Sequence, residues 1–199
     1  ELISDIELFA HNDELRLPPL IKLGIMHYQF ETLHPFLDGN GRIGRLMVPL
    51  YLVATGILKQ PVLYLSDYLE RNRSEYYDRL TRVREEDAMD EWLHFFLDGI
   101  TETTRSGVNT FNRILKFKKE WEEKIQTWKP HGNTGIVLFN RLFKMIYTNA
   151  SMVAEATSVS MPTAYKLIDE FVRHGLLKEI TGAQRGKLYV FEPYLALFR

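Results

Sequence analysis

His34-Pro35-Phe36-Leu37-Asp38-Gly39-Asn40-Gly41-Arg42-Ile43-Gly44-Arg45 gathers one imidazole, one carboxylate, three glycines and two arginines into a single short stretch. Its glycines let backbone N–H groups approach an anion, and a helix starting near Gly41 would add its partial positive end. The stretch therefore predicts a phosphate-binding loop that opens a helix. Asp38 is a hard oxygen ligand of the kind Mg2+ accepts together with substrate phosphates, and Arg42 and Arg45 carry forked donors suited to phosphate oxygens. Three residues apart, the arginines share one helix face. The residue types together point to a nucleoside triphosphate.

Two familiar phosphate patterns overlap this stretch and are excluded. Gly39, Gly41 and Gly44 satisfy GxGxxG, but that fingerprint must follow a strand, whereas Leu20 to Glu31 reads as helix and no alternating strand and helix units follow. Gly39 and Gly44 also open a Walker A spacing, which then requires Lys and Ser or Thr; Arg45 and Leu46 stand there.

The whole stretch resembles the signature of the Fic family, HxFx(D/E)GNGRxxR, at every fixed position, and His27-Tyr28-Gln29-Phe30-Glu31-Thr32-Leu33 is similar to the family's usual approach to it. The resemblance implies transfer of AMP from ATP to a hydroxyl side chain (Ser, Thr or Tyr) of a target protein, with release of pyrophosphate. Position by position it implies His34 as general base, Asp38 as Mg2+ ligand, Asn40 and Gly41 as anion hole, and Arg42 and Arg45 as phosphate clamps, with Gly39 and Gly44 completing the nucleotide site.

Independently of the family, the residue types suit this chemistry. An unperturbed imidazole titrates near pH 6.5, so it can take a proton from an attacking hydroxyl, a contribution of roughly 10²–10⁴ in rate. Charge on the transferred group and leaving pyrophosphate is offset by donors already in place. Phe36 offers only apolar area and reads as a core plug under the loop. His27 and Glu31, one helical turn apart, read as a structural pair that orients the segment.

Composition bounds the rest. The chain has 199 residues, 45% hydrophobic and 26% charged, as expected of a globular protein able to bury a sizeable core. With no Cys there is no disulfide framework, Cys-based zinc site or thiol nucleophile. Leu46 to Thr55 is too short for a membrane span and contains Pro49, so it reads as a buried core helix. No signal peptide opens the chain, and a cytoplasmic protein without membrane attachment is expected.

The net charge of −1 conceals an asymmetry: residues 1–130 hold 17 Lys and Arg against 21 Asp and Glu, residues 131–199 hold 8 against 5. Between them Trp128-Lys129-Pro130-His131-Gly132-Asn133 supplies chain breakers. Two domains are expected, a Fic-type helical core over 1–130 and a smaller domain over 131–199, in a mainly α fold. In the core, helices are expected over Leu2–His11, Leu20–Leu33 and Ile43–Val53, from Asp67 with Ser66 as cap, from Ser74, and from Asp90 toward Lys129. Tyr76 and Tyr77 are adjacent on a helix, so only one can point fully into the core. The resemblance places the pair near the nucleotide's base and ribose, with plain packing as the other reading, and it places Arg84 as a further nucleotide contact.

The C-terminal segment reads as a helix over Phe139–Tyr147, a short one over Met152–Thr157, a turn at Ser158-Val159-Ser160, and a third helix over Met161–His174 stopped by Gly175. Residues 176–181 and 187–191 then read as paired strands. This order resembles a winged helix-turn-helix, which implies DNA contact through Thr163, Tyr165 and Lys166, with Arg185 and Lys187 on the wing. Asp169 and Glu170 share that face, and the segment is only mildly basic. Docking of a protein is the other use of such a module.

Two function classes follow: a protein adenylyltransferase, or a DNA-binding transcriptional regulator with a nucleotide-sensing Fic core. The resemblance also implies a β-hairpin flap for the target segment and, in many members, an inhibitory helix of the form (S/T)xxxE(G/N). Between Glu1 and Pro18 no hairpin pattern is found, and no Glu in the chain precedes Gly or Asn. An inhibitory segment would then come from elsewhere in the protein or from a partner.

Overall fold

The computed structural model describes residues 2–12 and 14–198, Leu2 by its backbone alone; Glu1 and Asp13, within the stretch searched for a hairpin, lie outside them. Contacts divide the chain into two compact units, Glu1–Val108 and Asn109–Arg199. Among the described residues no helix is long and apolar enough to cross a membrane.

The first unit contains α1 (Leu2–Ala10), α2 (Pro19–Leu33), α3 (Asn40–Ala54), α4 (Ser66–Arg71), α5 (Arg73–Glu86) and the opening turns of α6 (Met89–Gln126), inside which the division falls. Pro19 starts α2, where its missing N–H costs nothing. The helix then buries residues all round its axis, among them Leu23, Met26, His27, Tyr28 and Phe30, as a central helix does. α1 and α3 both pack against it. Lys22 is buried by α1, donating from Nζ to the carbonyls of Ala10 at 3.2 Å and Asn12 at 2.9 Å, so it satisfies acceptors that the end of α1 leaves open. Trp92 of α6, wholly buried, donates its indole N–H to the carbonyl of Gly24 at 2.9 Å.

Two local expectations change. The 46–55 run is not a buried helix throughout: Val48, Pro49 and Leu52 face the core while Leu46 and Leu50 are exposed, because α3 has only one face on α2. Ser66 is the first residue of α4 and makes no capping bond; Leu65 holds the cap position with its side chain in the core.

In the second unit, the end of α6 and α7 (Gly132–Leu142), α8 (Ala150–Thr157) and α9 (Met161–Arg173) surround a core built on Phe139, Leu142, Leu167, Ile168, Phe171 and Phe191. Ser158 ends α8 in the left-handed region at φ 55°, and Gly175 ends α9 at φ 72°. Strands β1 (Tyr147–Thr148), β2 (Lys178–Glu179) and β3 (Tyr189–Val190) form an antiparallel sheet ordered β1-β3-β2, with Tyr147 and Lys178 both opposite Val190. The expected helix over 139–147 is thus corrected: α7 stops at Leu142, and Tyr147–Thr148 is an edge strand. Asn149 explains the break, since its Oδ1 accepts the Met152 N–H at 3.0 Å and so caps α8 from an extended backbone.

Candidate functional site

The loop from His34 to Gly39 links α2 to α3. His34 closes α2 with its backbone in the left-handed region (φ 48°, ψ 54°), a conformation disfavoured for a residue with a Cβ. Its Nδ1 lies 3.0 Å from the Glu31 carbonyl. A carbonyl can only accept, so Nδ1 carries the proton and the Nε2 lone pair is left to act as a base. Asn40 ties the loop: Phe36 N–H donates to its Oδ1 at 2.8 Å, and its Nδ2 donates back to the Phe36 carbonyl at 2.6 Å. The Asn40 side chain is therefore occupied, and what it can offer an anion is its backbone N–H. Gly39 caps α3 at φ 82°, which only glycine adopts without strain. The N–H groups of Asn40, Gly41 and Arg42 follow as the first turn of α3, with no partner within the helix.

These groups border a cavity of about 350 Å³, lined by His34, Asp38, Gly39, Asn40, Gly41, Arg42, Arg45, Tyr76 and Tyr77, together with Glu31, Leu37, Leu69, Glu70 and Arg73. Nine of the ten site residues expected from sequence meet there. Gly44 does not. Its carbonyl accepts the Nδ1–H of buried His27 at 3.1 Å, and a Cβ on it would collide with the Glu31 carboxyl. It serves the close approach of α2 and α3.

The two arginines differ. Arg42 is exposed and donates to Asp38 Oδ2 at 3.3 Å, while Asp38 Oδ1 accepts the Gly39 N–H at 2.6 Å. Arg45 is half-buried and, among the described residues, makes no hydrogen bond or ion pair. A guanidinium left without an acceptor at the edge of a cavity is poised for an anion.

Tyr76 and Tyr77 divide as adjacent helix positions must. Tyr76 is 3% exposed and donates its hydroxyl to His27 Nε2 at 3.1 Å, while Tyr77 is 54% exposed with the Arg73 guanidinium 5.8 Å from its ring centre. Burial pushes the Tyr76 phenol well above the usual range, with the Glu31 charge a smaller contribution in the same direction. Tyr76 is a core residue that also borders the cavity, and Tyr77 is its open aromatic face. Tyr76→Phe is expected to cost about 1–2 kcal/mol by leaving His27 Nε2 without a donor, and Tyr77→Ala under about 0.5 kcal/mol; urea unfolding of the two variants checks the difference.

His27 and Glu31 do not form a pair. His27 is wholly buried, spends its nitrogens on Gly44 and Tyr76, and stacks on Trp92 at 5.9 Å. Glu31 instead borders the cavity, a placement that helical spacing from His27 could not reveal. Phe36, expected as a core plug, packs beside Phe30 at 6.3 Å between ring centres but is 45% exposed. Arg73 was missed by sequence reading, although its place one turn before Tyr77 is a usable signal. Arg84 borders an adjoining cavity of about 290 Å³ with Glu31, His34 and Tyr77.

Asp38 is the one acidic side chain of the loop, and among the described residues no cluster of three His, Cys, Asp or Glu forms a closed metal cage. Asp38 is solvent-exposed, although its oxygens accept from Gly39 and Arg42, and a single carboxylate of this kind fits Mg2+, which commonly takes one or two carboxylates and fills its shell with waters and phosphate oxygens.

Residues 1–52 match the family model described as Fic/DOC family. The matched residues include the whole loop, α2 and α3 as far as Leu52. A probable protein adenylyltransferase of Aquifex aeolicus is 30% identical over 99 residues, 46% of this chain and 28% of that protein. A protein adenylyltransferase of Caenorhabditis elegans is 38% identical over 71 residues, 35% of this chain and 13% of that protein, and one of Drosophila erecta is 35% identical over 104 residues, 52% and 19%. The chain thus spans less than a third of the length of these curated relatives. A crystal structure of a Fic family protein from Desulfovibrio desulfuricans G20 aligns with 96% of this chain and 54% of that one, at a TM-score of 0.50 and 20% identity, a likeness of fold.

Proposed function

We propose that the cavity binds the triphosphate of ATP and that the protein is a protein adenylyltransferase. In this reading a Ser, Thr or Tyr hydroxyl oxygen of a target protein attacks the α-phosphorus. Its proton passes to His34 Nε2, and the bond to the pyrophosphate oxygen breaks. Supporting the reading above all is the convergence, on one cavity, of an uncommitted arginine, the free N–H groups of the first turn of α3 and an imidazole whose tautomer leaves Nε2 open. The names of the relatives point the same way. Asp38 would hold Mg2+, which when bound offsets phosphate charge. Arg42 and Arg45 grip phosphate oxygens, Gly39 and Gly41 keep the cradle open, and Tyr77 offers the base a stacking face.

Titration calorimetry with ATP and Mg2+ tests the binding half. Saturable binding is expected, weakened about tenfold or more in Arg45→Ala by loss of a charge-assisted contact; absence of saturable binding at millimolar nucleotide contradicts it.

For the second unit we propose a winged helix-turn-helix arrangement, supported by the succession of α8, the turn at Ser158, α9 and the antiparallel β2 and β3. DNA contact through Tyr165, Lys166 and Arg185 is the subordinate reading. Those three are exposed, but so is Asp169 on the same helix, and Lys187 is held by Glu179 at 3.0 Å.

A further inference from the structure

Glu31 is one of two glutamates, with Glu70 of α4, that line the main cavity, and a phosphate needs neither. Glu31 sits in the last turn of α2, half-buried, on the wall shared by the main cavity and the smaller one beside Arg84. Its Oε1 is buried against Gly44 and, among the described residues, has no hydrogen-bond donor. The groups around it are mixed in sign. Arg45 and Arg42 stand on α3, His34 and Asp38 on the loop, Glu70 on α4, and Tyr76, Tyr77, Arg73 and Arg84 on α5. His27, one turn earlier on α2, is buried. Nearest in effect is Arg45, with which Glu31 forms no ion pair although their charges are felt.

An isolated carboxylate beside an uncommitted guanidinium does two things. While charged, it lowers the positive potential that an anion entering the cavity would meet. Once a polyphosphate occupies the cavity, the carboxylate faces a like charge, which favours its neutral form. Resting on the reading of the cavity as a triphosphate site, we propose that Glu31 sets the affinity of the site for polyphosphate and takes up a proton from solvent when the nucleotide binds. The same carboxyl is already displaced toward the neutral form before any ligand arrives, because burial raises its titration above 4.5, with Arg45 and then His34 acting against that rise.

The direction of the linkage is set by these charges. Bound polyphosphate moves the Glu31 titration upward, so protons are taken up between its free and bound midpoints. Nucleotide affinity then grows as pH falls through that window. Glu31→Gln keeps shape and removes the charge. Calorimetry with ATP and Mg2+ in two buffers of different ionisation enthalpy, on the wild type and Glu31→Gln, separates this proton from those exchanged by ATP and by the other groups of the cavity, which are present in both proteins. The wild type is expected to take up more protons than the variant. The variant should bind ATP about tenfold more tightly at a pH above the Glu31 titration, with the gap closing as pH falls through it. Equal proton uptake and equal affinity in two proteins that both bind ATP overturn the proposal and leave the triphosphate reading standing; no binding by the wild type overturns both. Should Glu31→Gln fail to fold, carboxyl ¹³C shifts of glutamate in the wild type decide the matter. A Glu31 midpoint that rises when ATP is added supports the proposal, and an unmoved midpoint refutes it.

Discussion

His34→Ala is expected to lower transfer of label from α-labelled ATP to protein by about 10²-fold or more, while ATP affinity changes by less than about threefold. The expectation follows from what each group touches. Removing the imidazole leaves the Asn40–Phe36 clasp, the first turn of α3 and Arg45 in place, so the cradle keeps its donors. Only the acceptor for the hydroxyl proton is lost. Single-turnover label transfer measured beside calorimetric binding separates the two effects, and a variant that loses binding and transfer in parallel would show His34 to be a ligand contact and not a base.

Acid should weaken the first unit through His27. Burial depresses its titration from 6.5 to about 4; the bond to the Gly44 carbonyl acts in the opposite sense, and the Arg45 charge adds slightly to the depression. A folded-state value below the unfolded one means that the unfolded chain binds the extra proton first. Stability from the neutral buried ring is therefore complete above about pH 6.5 and is lost as pH falls toward about 4, for a difference of about 3 kcal/mol. Carboxylates titrate in the same range, so the contrast that matters is with His27→Gln, which cannot protonate. Urea unfolding at pH about 7 and about 4.5 should show the wild type losing about 2–3 kcal/mol more than the variant. Equal losses would mean that the ring is not held neutral between Gly44 and Tyr76.

The site was legible where a residue's role is local. Gly39 stands where a left-handed cap is required, and the loop's donors follow from the start of a helix, so one short stretch was enough to place most of the cavity. Roles set by the neighbouring helix were not legible. Gly44 reads like its fellow glycines but serves the seam between α2 and α3, and Glu31 looks like a partner for His27 until Tyr76, forty-nine positions from His27, takes that ring's other nitrogen. The same limit governs the fold. The helices of the first unit carry their own apolar patterns, whereas Tyr147–Thr148 is a strand only because Val190 and Tyr189 lie opposite it, and two residues have no periodicity to read. Phe36 was misjudged because apolar area alone does not say whether a loop closes over it.

Adenylyl transfer requires that the α-phosphorus of the nucleotide meet the hydroxyl. Incubation with ATP labelled either at the α- or at the γ-phosphate, in the presence of Mg2+ and a cell extract as source of target, checks this directly. Protein-bound label from the α-position alone, absent with His34→Ala, is the result expected of adenylyl transfer. Label from the γ-position alone would contradict it and make the same cradle a phosphotransferase site.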